Sequence, residues 1–262
     1  MMLPLVTVVT PSYNQGEFIE ETILSVLNQT YKNIQYIIVD GGSTDNTMDI
    51  VNTYRDRIDI VIHERDNGQS DAINKGFKLA KGELVTWINS DDILYPECVE
   101  QIVKLYQLHN DGAVYYGALV DHIDRTGNLI RVKKRFIKDK AYLLNEDYDV
   151  TQQGSFYPLK LVQKVNYVDE SIHYCMDLDL WLRLLEHGSI YSYNEKSITG
   201  FRKWEGTKTS TGTRKFLRDI KSALLRNGAS PFAKTILKIH YYTFKSRVKD
   251  FLIKSKLYSD KK

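Results

Sequence analysis

The first ninety residues of this chain repeat one pattern: a short β-branched run, a polar loop, then apolar residues at helical spacing. Val6-Thr-Val-Val-Thr10 is stopped by Pro11-Ser-Tyr-Asn-Gln-Gly16, after which Ile19, Ile23, Val26 and Leu27 mark a helix. Ile34-Gln-Tyr-Ile-Ile-Val39 passes through Asp40-Gly-Gly-Ser-Thr-Asp45 to Met48, Ile50, Val51 and Tyr54, with Ser43 or Asp45 available as the N-cap. Asp59-Ile-Val-Ile-His63 and the loop Glu64-Arg-Asp-Asn-Gly68 lead to Ala72, Ile73, Phe77 and Leu79, closed by Lys81-Gly82. Strands alternating with helices in this way predict an α/β fold, a mostly parallel sheet with helices on both faces. In such sheets ligands bind beyond the carboxyl ends of the strands. The loops at 11–16, 40–45, 64–71 and 89–92 are therefore expected to face one crevice.

The fourth strand ends in the most charged of these loops, Leu84-Val-Thr-Trp-Ile-Asn-Ser-Asp-Asp92. Two adjacent carboxylates repel each other unless something positive lies beside them, and Mg²⁺ is commonly held by one or two carboxylates plus substrate phosphates. Asp91 and Asp92 thus read as a metal-diphosphate site, against the plainer reading of a solvated turn before the helix that Pro96 opens. The chain contains no Gly-x-Gly-x-x-Gly after its first strand and no Gly-x-x-x-x-Gly-Lys-Ser/Thr. That argues against a dinucleotide oxidoreductase and against a P-loop enzyme.

Beyond the helix through Val99, Ile102, Val103 and Tyr106, a strand at 113–117 and a hairpin turning at Asp124-Arg-Thr-Gly-Asn128 break the rhythm, and the remainder has α+β character. Arg131-Val-Lys-Lys-Arg135 reads as a solvated strand edge or, inside a crevice, as a phosphate contact. A helix is expected from Tyr174 to a Gly188 cap, apolar at Leu180, Trp181, Leu184 and Leu185. Asp177 and Asp179 at its start would ordinarily only complement the helix dipole.

Five segments together are similar to a known family: Thr10-Pro-Ser-Tyr-Asn14, Asp40-Gly-Gly-Ser-Thr-Asp45, Asp66-Asn-Gly-Gln-Ser-Asp-Ala-Ile-Asn-Lys-Gly76, Asn89-Ser-Asp-Asp92 and Met176-Asp-Leu-Asp-Leu-Trp-Leu-Arg183. In this order and spacing, over residues 5 to about 210, they resemble the family 2 glycosyltransferases of GT-A fold, of the bacterial surface-polysaccharide type. The resemblance implies a Rossmann-like, mostly parallel sheet flanked by helices. It also implies a metal-dependent, inverting transfer of a sugar from a nucleotide-sugar donor, UDP-linked in expectation, to a hydroxyl of a glycan or lipid-linked acceptor. Pro11, Tyr13, Asn14, Asp40, Asp71, Asn74 and Asp91 match positions that hold the nucleotide sugar, and Asp91 with Asp92 matches the motif that holds Mg²⁺ or Mn²⁺. Asp177 matches the catalytic base, with Asp179 as its alternate, and Gln153 and His173 are candidates for the acceptor side. Many members read Asp-Asp-Gly-Ser where this chain has Asp40-Gly-Gly-Ser43, and Asp-Ala-Asp-Asp where it has Asn89-Ser-Asp-Asp92, which removes an acid from each site.

Charge divides the chain again. From Phe201 onward there are 17 Lys and Arg against 4 Asp and Glu, a net of +13, leaving residues 1–200 with 19 basic and 29 acidic groups. A GT-A domain over 1–212, with a nucleotide-sugar half at 1–112 and an acceptor half at 113–212, is expected to precede a basic amphipathic helical tail at 213–262. Such a tail seeks an anionic partner or packs on the domain; an anionic membrane surface is the expected partner, and with no base-reading motif nucleic acid is not. Cys98 and Cys175 lack metal-type spacing, and neither a signal peptide nor a run of about 20 apolar residues is evident. The expectation is a cytoplasmic enzyme at the inner face of the membrane, with homo-oligomers open. The rival reading is a catalytically silent nucleotide-sugar-binding scaffold.

Overall fold

The computed structural model describes residues 3–207 and 213–259. One sheet is built from β1 (Val6–Ser12), β2 (Ile34–Asp40), β3 (Ile60–His63), β4 (Leu84–Trp87), β6 (Gly112–Gly117), β9 (Ser155–Pro158) and β10 (Ser189–Tyr193), in the order β10-β6-β9-β4-β1-β2-β3. A smaller sheet orders β5 (Ile93–Leu94), β7 (Leu119–Ile123), β8 (Leu129–Lys134) and β11 (Thr199–Arg202) as β5-β11-β7-β8. The expected βα repeat is present, with α1 (Ile19–Leu27), α2 (Thr47–Thr53) and α3 (Gln69–Leu79) following the first three strands. The chain continues through α4 (Cys98–Leu108), α5 (Lys140–Asn145), α6 (Leu159–Lys164), α7 (Met176–Leu184), α8 (Thr213–Arg226) and α9 (Lys234–Ser259).

All seven residues of β1 are buried, because helices cover both faces of its sheet. Its side chains alternate accordingly. Val6 and Val8 pack with Ile19 and Ile23 of α1 and Ile102 of α4, while Val9 packs with Ile73 and Phe77 of α3 and Trp181 of α7. β1 pairs in parallel with β2 on one side and β4 on the other, so the chain reverses its direction of travel across the sheet at β1. This is the topological switch point at which a crevice opens beyond the strand ends. β9 runs antiparallel to β4 and β6 and ends the purely parallel part.

One open alternative is decided and one expectation is corrected. Asp45, not Ser43, serves the start of α2: its Oδ1 accepts from the Thr47 backbone N–H at 3.0 Å, whereas Ser43 donates to Asp40. The helix expected to run to Gly188 stops at Leu184, where successive bonds from Glu186 to the Arg183 carbonyl and from His187 to the Leu184 carbonyl tighten the chain. Gly188 is not a left-handed cap; a Cβ there would lie 2.5 Å from the Asp111 carbonyl oxygen, so glycine is required by close approach to β6.

The basic tail packs on the domain, one of the two alternatives left open for it. Leu217, Ile220, Ala223 and Leu224 of α8, and Ile236 and Ile239 of α9, belong to the same buried cluster as α7. Part of the positive charge is also neutralised inside the protein: Arg226 pairs with Asp169 and Asp179, Lys234 with Glu146, and Lys238 with Asp147. The stretch from 213 to 239 thus packs on the domain through one face, while Leu225, Phe232 and Leu237 within it, and Tyr241, Tyr242, Phe244 and Val248 beyond it, are exposed.

Candidate functional site

A cavity of about 1050 Å³ opens at the switch point. Pro11 and Tyr13 reach it from the end of β1, Asn89 and Asp91 from the end of β4, Gly68 and Gln69 from the start of α3, and Asp177 from the first turn of α7. Gln153 and His173 line it as well. Six of the residues singled out from the sequence therefore share one wall system: Pro11, Tyr13, Asp91, Gln153, His173 and Asp177. The Tyr13 ring is 59% exposed, an aromatic face standing at the rim on which a flat ring can stack.

The two acids after β4 have different surroundings. Asp92 is fully buried, and its carboxylate is taken by three donors: the Arg202 backbone N–H at 2.9 Å, Gln153 Nε2 at 2.9 Å and Asn89 Nδ2 at 3.1 Å. Burial drives its pKa up to about 8, the neighbouring charge of Asp91 adds to this, and the three donors oppose it. Asp91 faces the cavity, and its Oδ2 accepts from the Trp204 indole N–H at 3.0 Å. Burial also raises the pKa of Asp91, with the Trp204 bond and the charge of Arg202 acting the other way.

A divalent cation fits this arrangement at Asp91, the acid of the pair that the cavity reaches. Among the described residues no group of three or more His, Cys, Asp and Glu could hold a metal ion.

At the head of α7 the same division recurs. Asp177 Oδ1 accepts from the Leu178 backbone N–H at 2.8 Å and the side chain faces the cavity. Asp179 points away, as its spacing requires: its Oδ2 accepts from Arg183 Nε at 2.7 Å, and Oδ1 from Arg226 and Asn227 at 3.3 Å. The helix is fixed by the buried Trp181, whose indole donates to the Tyr157 hydroxyl at 2.9 Å.

The remaining candidates stand behind the wall and hold the loops in place. Asp40 is buried and accepts from the Gly42 and Ser43 backbone N–H groups and from Ser43 Oγ, with His63 Nδ1 at 2.7 Å. Asn14 joins the first two loops, its side chain accepting from the Thr44 N–H. Asp71 accepts from the Asn67 N–H at 2.9 Å and closes the loop before α3. Asn74 is buried and bonded to the backbone of Val168 in both directions and to Glu170.

Asp66 and Trp204 are among the cavity residues given no role from the sequence. Asp66 lines the cavity, and its Oδ2 lies 2.5 Å from where a Cβ on Gly41 would stand. Its carboxylate thus fills the space that an acid following Asp40 would take. It opens the Asp66–Gly76 segment, so the signal was present. Trp204 carries no motif in sequence, yet it bonds Asp91 and packs on Phe18 at 5.0 Å.

The sequence profile described as "Glycosyl transferase family 2" matches residues 7–165. An uncharacterized glycosyltransferase of Rickettsia prowazekii is 34% identical over 230 residues, covering 85% of this chain and 72% of that protein. One of Rickettsia typhi is 36% identical over 201 residues, covering 74% of this chain; the chain spans only 63% of that relative's length. Among solved structures, S. aureus TarS 1-349 in complex with UDP-GlcNAc is similar with a TM-score of 0.68 at 18% identity, covering 92% of this chain and 73% of that one. The mannosyltransferase PcManGT from Pyrobaculum calidifontis, in complex with GDP-Man and Mn²⁺, is similar with a TM-score of 0.65 at 16% identity, covering 93% and 70%. The structures share its fold, and the profile and the relatives show that the chain belongs to glycosyl transferase family 2.

Proposed function

We propose that this chain is an inverting glycosyltransferase that moves a sugar from a nucleotide-sugar donor, UDP-linked by preference, to a hydroxyl of a glycan or lipid-linked acceptor in cell-surface polysaccharide synthesis. The observation that carries this reading is the meeting of Tyr13, Asp91 and Asp177 on one cavity at the switch point, while Asp92 and Asp179 turn away from it. The donor base stacks at the rim on Tyr13, and Asp66 offers a carboxylate to its N–H groups. The sugar lies between Asp91 and Asp177. A divalent cation, Mg²⁺ or Mn²⁺, held at Asp91 would supply positive charge for the departing diphosphate. Asp177 takes the proton from the acceptor hydroxyl as that oxygen attacks the anomeric carbon. A single carboxylate acting as base, with the leaving group departing on the opposite side, gives inversion.

The nucleotide and cation complexes of the TarS and PcManGT proteins support a donor of this class. Screening the full chain for nucleoside diphosphate release from a panel of UDP- and GDP-sugars, with and without Mn²⁺, tests the reading; turnover of none of them, with no nucleotide binding by calorimetry, overturns it.

The end of α9 supports a position of the site at the inner membrane face. No helix among the described residues is long and apolar enough to cross a membrane. Tyr241 (60% exposed) and Phe244 (67%) stand among Lys245 and Arg247, a composition suited to lying on an anionic surface. A cut at Gly212 would strip Leu217 and Ile220 from the core, so the informative truncation ends at Thr243. The full chain is expected to float with anionic vesicles and the truncated chain to stay behind; equal flotation of both removes α9 from the claim.

A further inference from the structure

The smaller sheet turns one face to the cavity, and that face is cationic. In β7, His122 lies in register with Arg131 of β8 and Phe201 of β11, and Val120 with Lys133. Residues two apart on a strand share a face. Val120, His122, Arg131, Lys133, Phe201 and Lys203 accordingly all line the cavity. The opposite face is occupied otherwise: Asp121 accepts from the Tyr95 hydroxyl, and the buried Arg202 is held by the Asp91 carbonyl and Glu21.

Three cations thus converge around one imidazole, and the acids on this side of the cavity are shared with further cations: Asp149 is held by Lys133 and Arg135, and Asp147 by Arg135 and Lys238. Lys133 pairs with Asp149 at 2.7 Å. Arg131 Nε donates to His122 Nδ1 at 3.5 Å, and among the described residues neither Arg131 nor Lys203 has a carboxylate at ion-pair distance. The mutual repulsion is visible in the titrating groups. Burial and then the charges of Lys203, Lys133 and Arg131 hold His122 down to about 4, and burial with Arg131 and Lys133 lowers Lys203. A folded protein does not gain stability by gathering like charges in a cavity wall, so the arrangement implies an anionic ligand. The acids at the donor end, Asp66, Asp91 and Asp177, make that end of the cavity the opposite in sign.

We infer that Arg131, Lys133 and Lys203 form a phosphate site on the face of the smaller sheet, and that the acceptor carries a phosphate ester or diphosphate bound there while its hydroxyl is presented to Asp177. A guanidinium with two ammonium groups matches the several oxygens of a phosphate through charge-assisted hydrogen bonds. The inference rests on the glycosyl-transfer reading for its acceptor, but the site itself does not. Two sources of phosphate are distinguishable: a phosphate on the acceptor binds beside bound UDP, and the donor's own diphosphate does not.

The test is NMR of the His122 ring in the full chain, titrated with inorganic phosphate and with ethyl phosphate, first alone and then with UDP and Mg²⁺ saturating by calorimetry. Both probes are expected to shift the His122 resonances with UDP bound. The double variant Arg131→Gln/Lys203→Gln is expected to weaken that binding at least about tenfold, or about 1.4 kcal/mol, with UDP affinity within about twofold of wild type. No shift with UDP bound, or the same titration in the double variant, overturns the phosphate site. Displacement of phosphate by UDP assigns the cluster to the donor's diphosphate and overturns the acceptor claim. Failure of UDP to bind the wild type contradicts the transferase reading, and the titration without UDP still reads the cluster.

Discussion

The tip of β4 and the head of α7 both present two acids within three residues, and the fold divides each pair the same way. At β4, Asp91 faces the cavity and Asp92 is buried under three N–H donors; at α7, Asp177 faces the cavity and Asp179 is buried beneath Arg183, Arg226 and Asn227. The buried member of each pair ties the site to a distant part of the chain. Asp92 anchors β11 and the 150–154 loop, and Asp179 anchors the end of α8. What separates the two members of each pair here is whether the carboxylate reaches the cavity and not its place in a motif. An acid already saturated by N–H groups has little left for a ligand.

This difference predicts opposite phenotypes for neighbours in sequence. The largest effect is expected at Asp177. Asp177→Asn preserves shape and loses the base, and turnover should fall by about 10³-fold with UDP affinity and Tm unchanged; turnover within tenfold of wild type moves the base elsewhere. Next is Asp91→Asn, which should lower kcat/KM for the donor by about 10²-fold and flatten its dependence on Mn²⁺ concentration while leaving Tm in place. A variant that responds to Mn²⁺ as the wild type does would show that Asp91 does not hold the cation.

The buried partners should instead lose stability. Asp179→Ala leaves Arg183 and Arg226 facing a cavity, and Asp92→Ala leaves three buried donors unpaired, each costing about 2 kcal/mol by denaturant unfolding, with Asp179→Ala affecting activity far less than Asp177→Asn. The smallest effect is in pH. Because burial raises the folded-state pKa of Asp92 to about 8, well above its ordinary 3.8, the folded protein holds that proton more tightly than the unfolded chain. The corresponding stability is fully present below about pH 4 and is lost as pH rises toward 8. Between pH 5 and 8 the Tm of wild type should therefore fall relative to that of Asp92→Asn; parallel curves would mean that Asp92 is ionised throughout.

The parallel sheet, its switch point and four converging loops were legible because β-branched runs alternating with helical spacing admit few other arrangements, and β1 to β4 appear where that pattern puts them. The site was legible in part. Asp91 could be placed from its strand end, and Pro11, Tyr13 and Asp177 through the family resemblance, but which way a polar side chain at a strand end points depends on its neighbours in space. Asp40 and Asn74 lie in motif segments and turn inward, because the loop 41–43 and the Val168 backbone supply their partners. Trp204 and the cations at Arg131, Lys133 and Lys203 reach the cavity only through the pairing of β11 and β8 with β7, a register set by contacts far apart in the chain.

The most direct test of the division between reacting and structural acids is a paired measurement on Asp177→Asn and Asp179→Asn: nucleoside diphosphate release from the nucleotide sugar that wild type turns over fastest, alongside Tm. The account predicts that Asp177→Asn abolishes release at wild-type Tm, and that Asp179→Asn keeps release within about tenfold at a lowered Tm. Loss of release in Asp179→Asn with Tm unchanged, or retained release in Asp177→Asn, would contradict it.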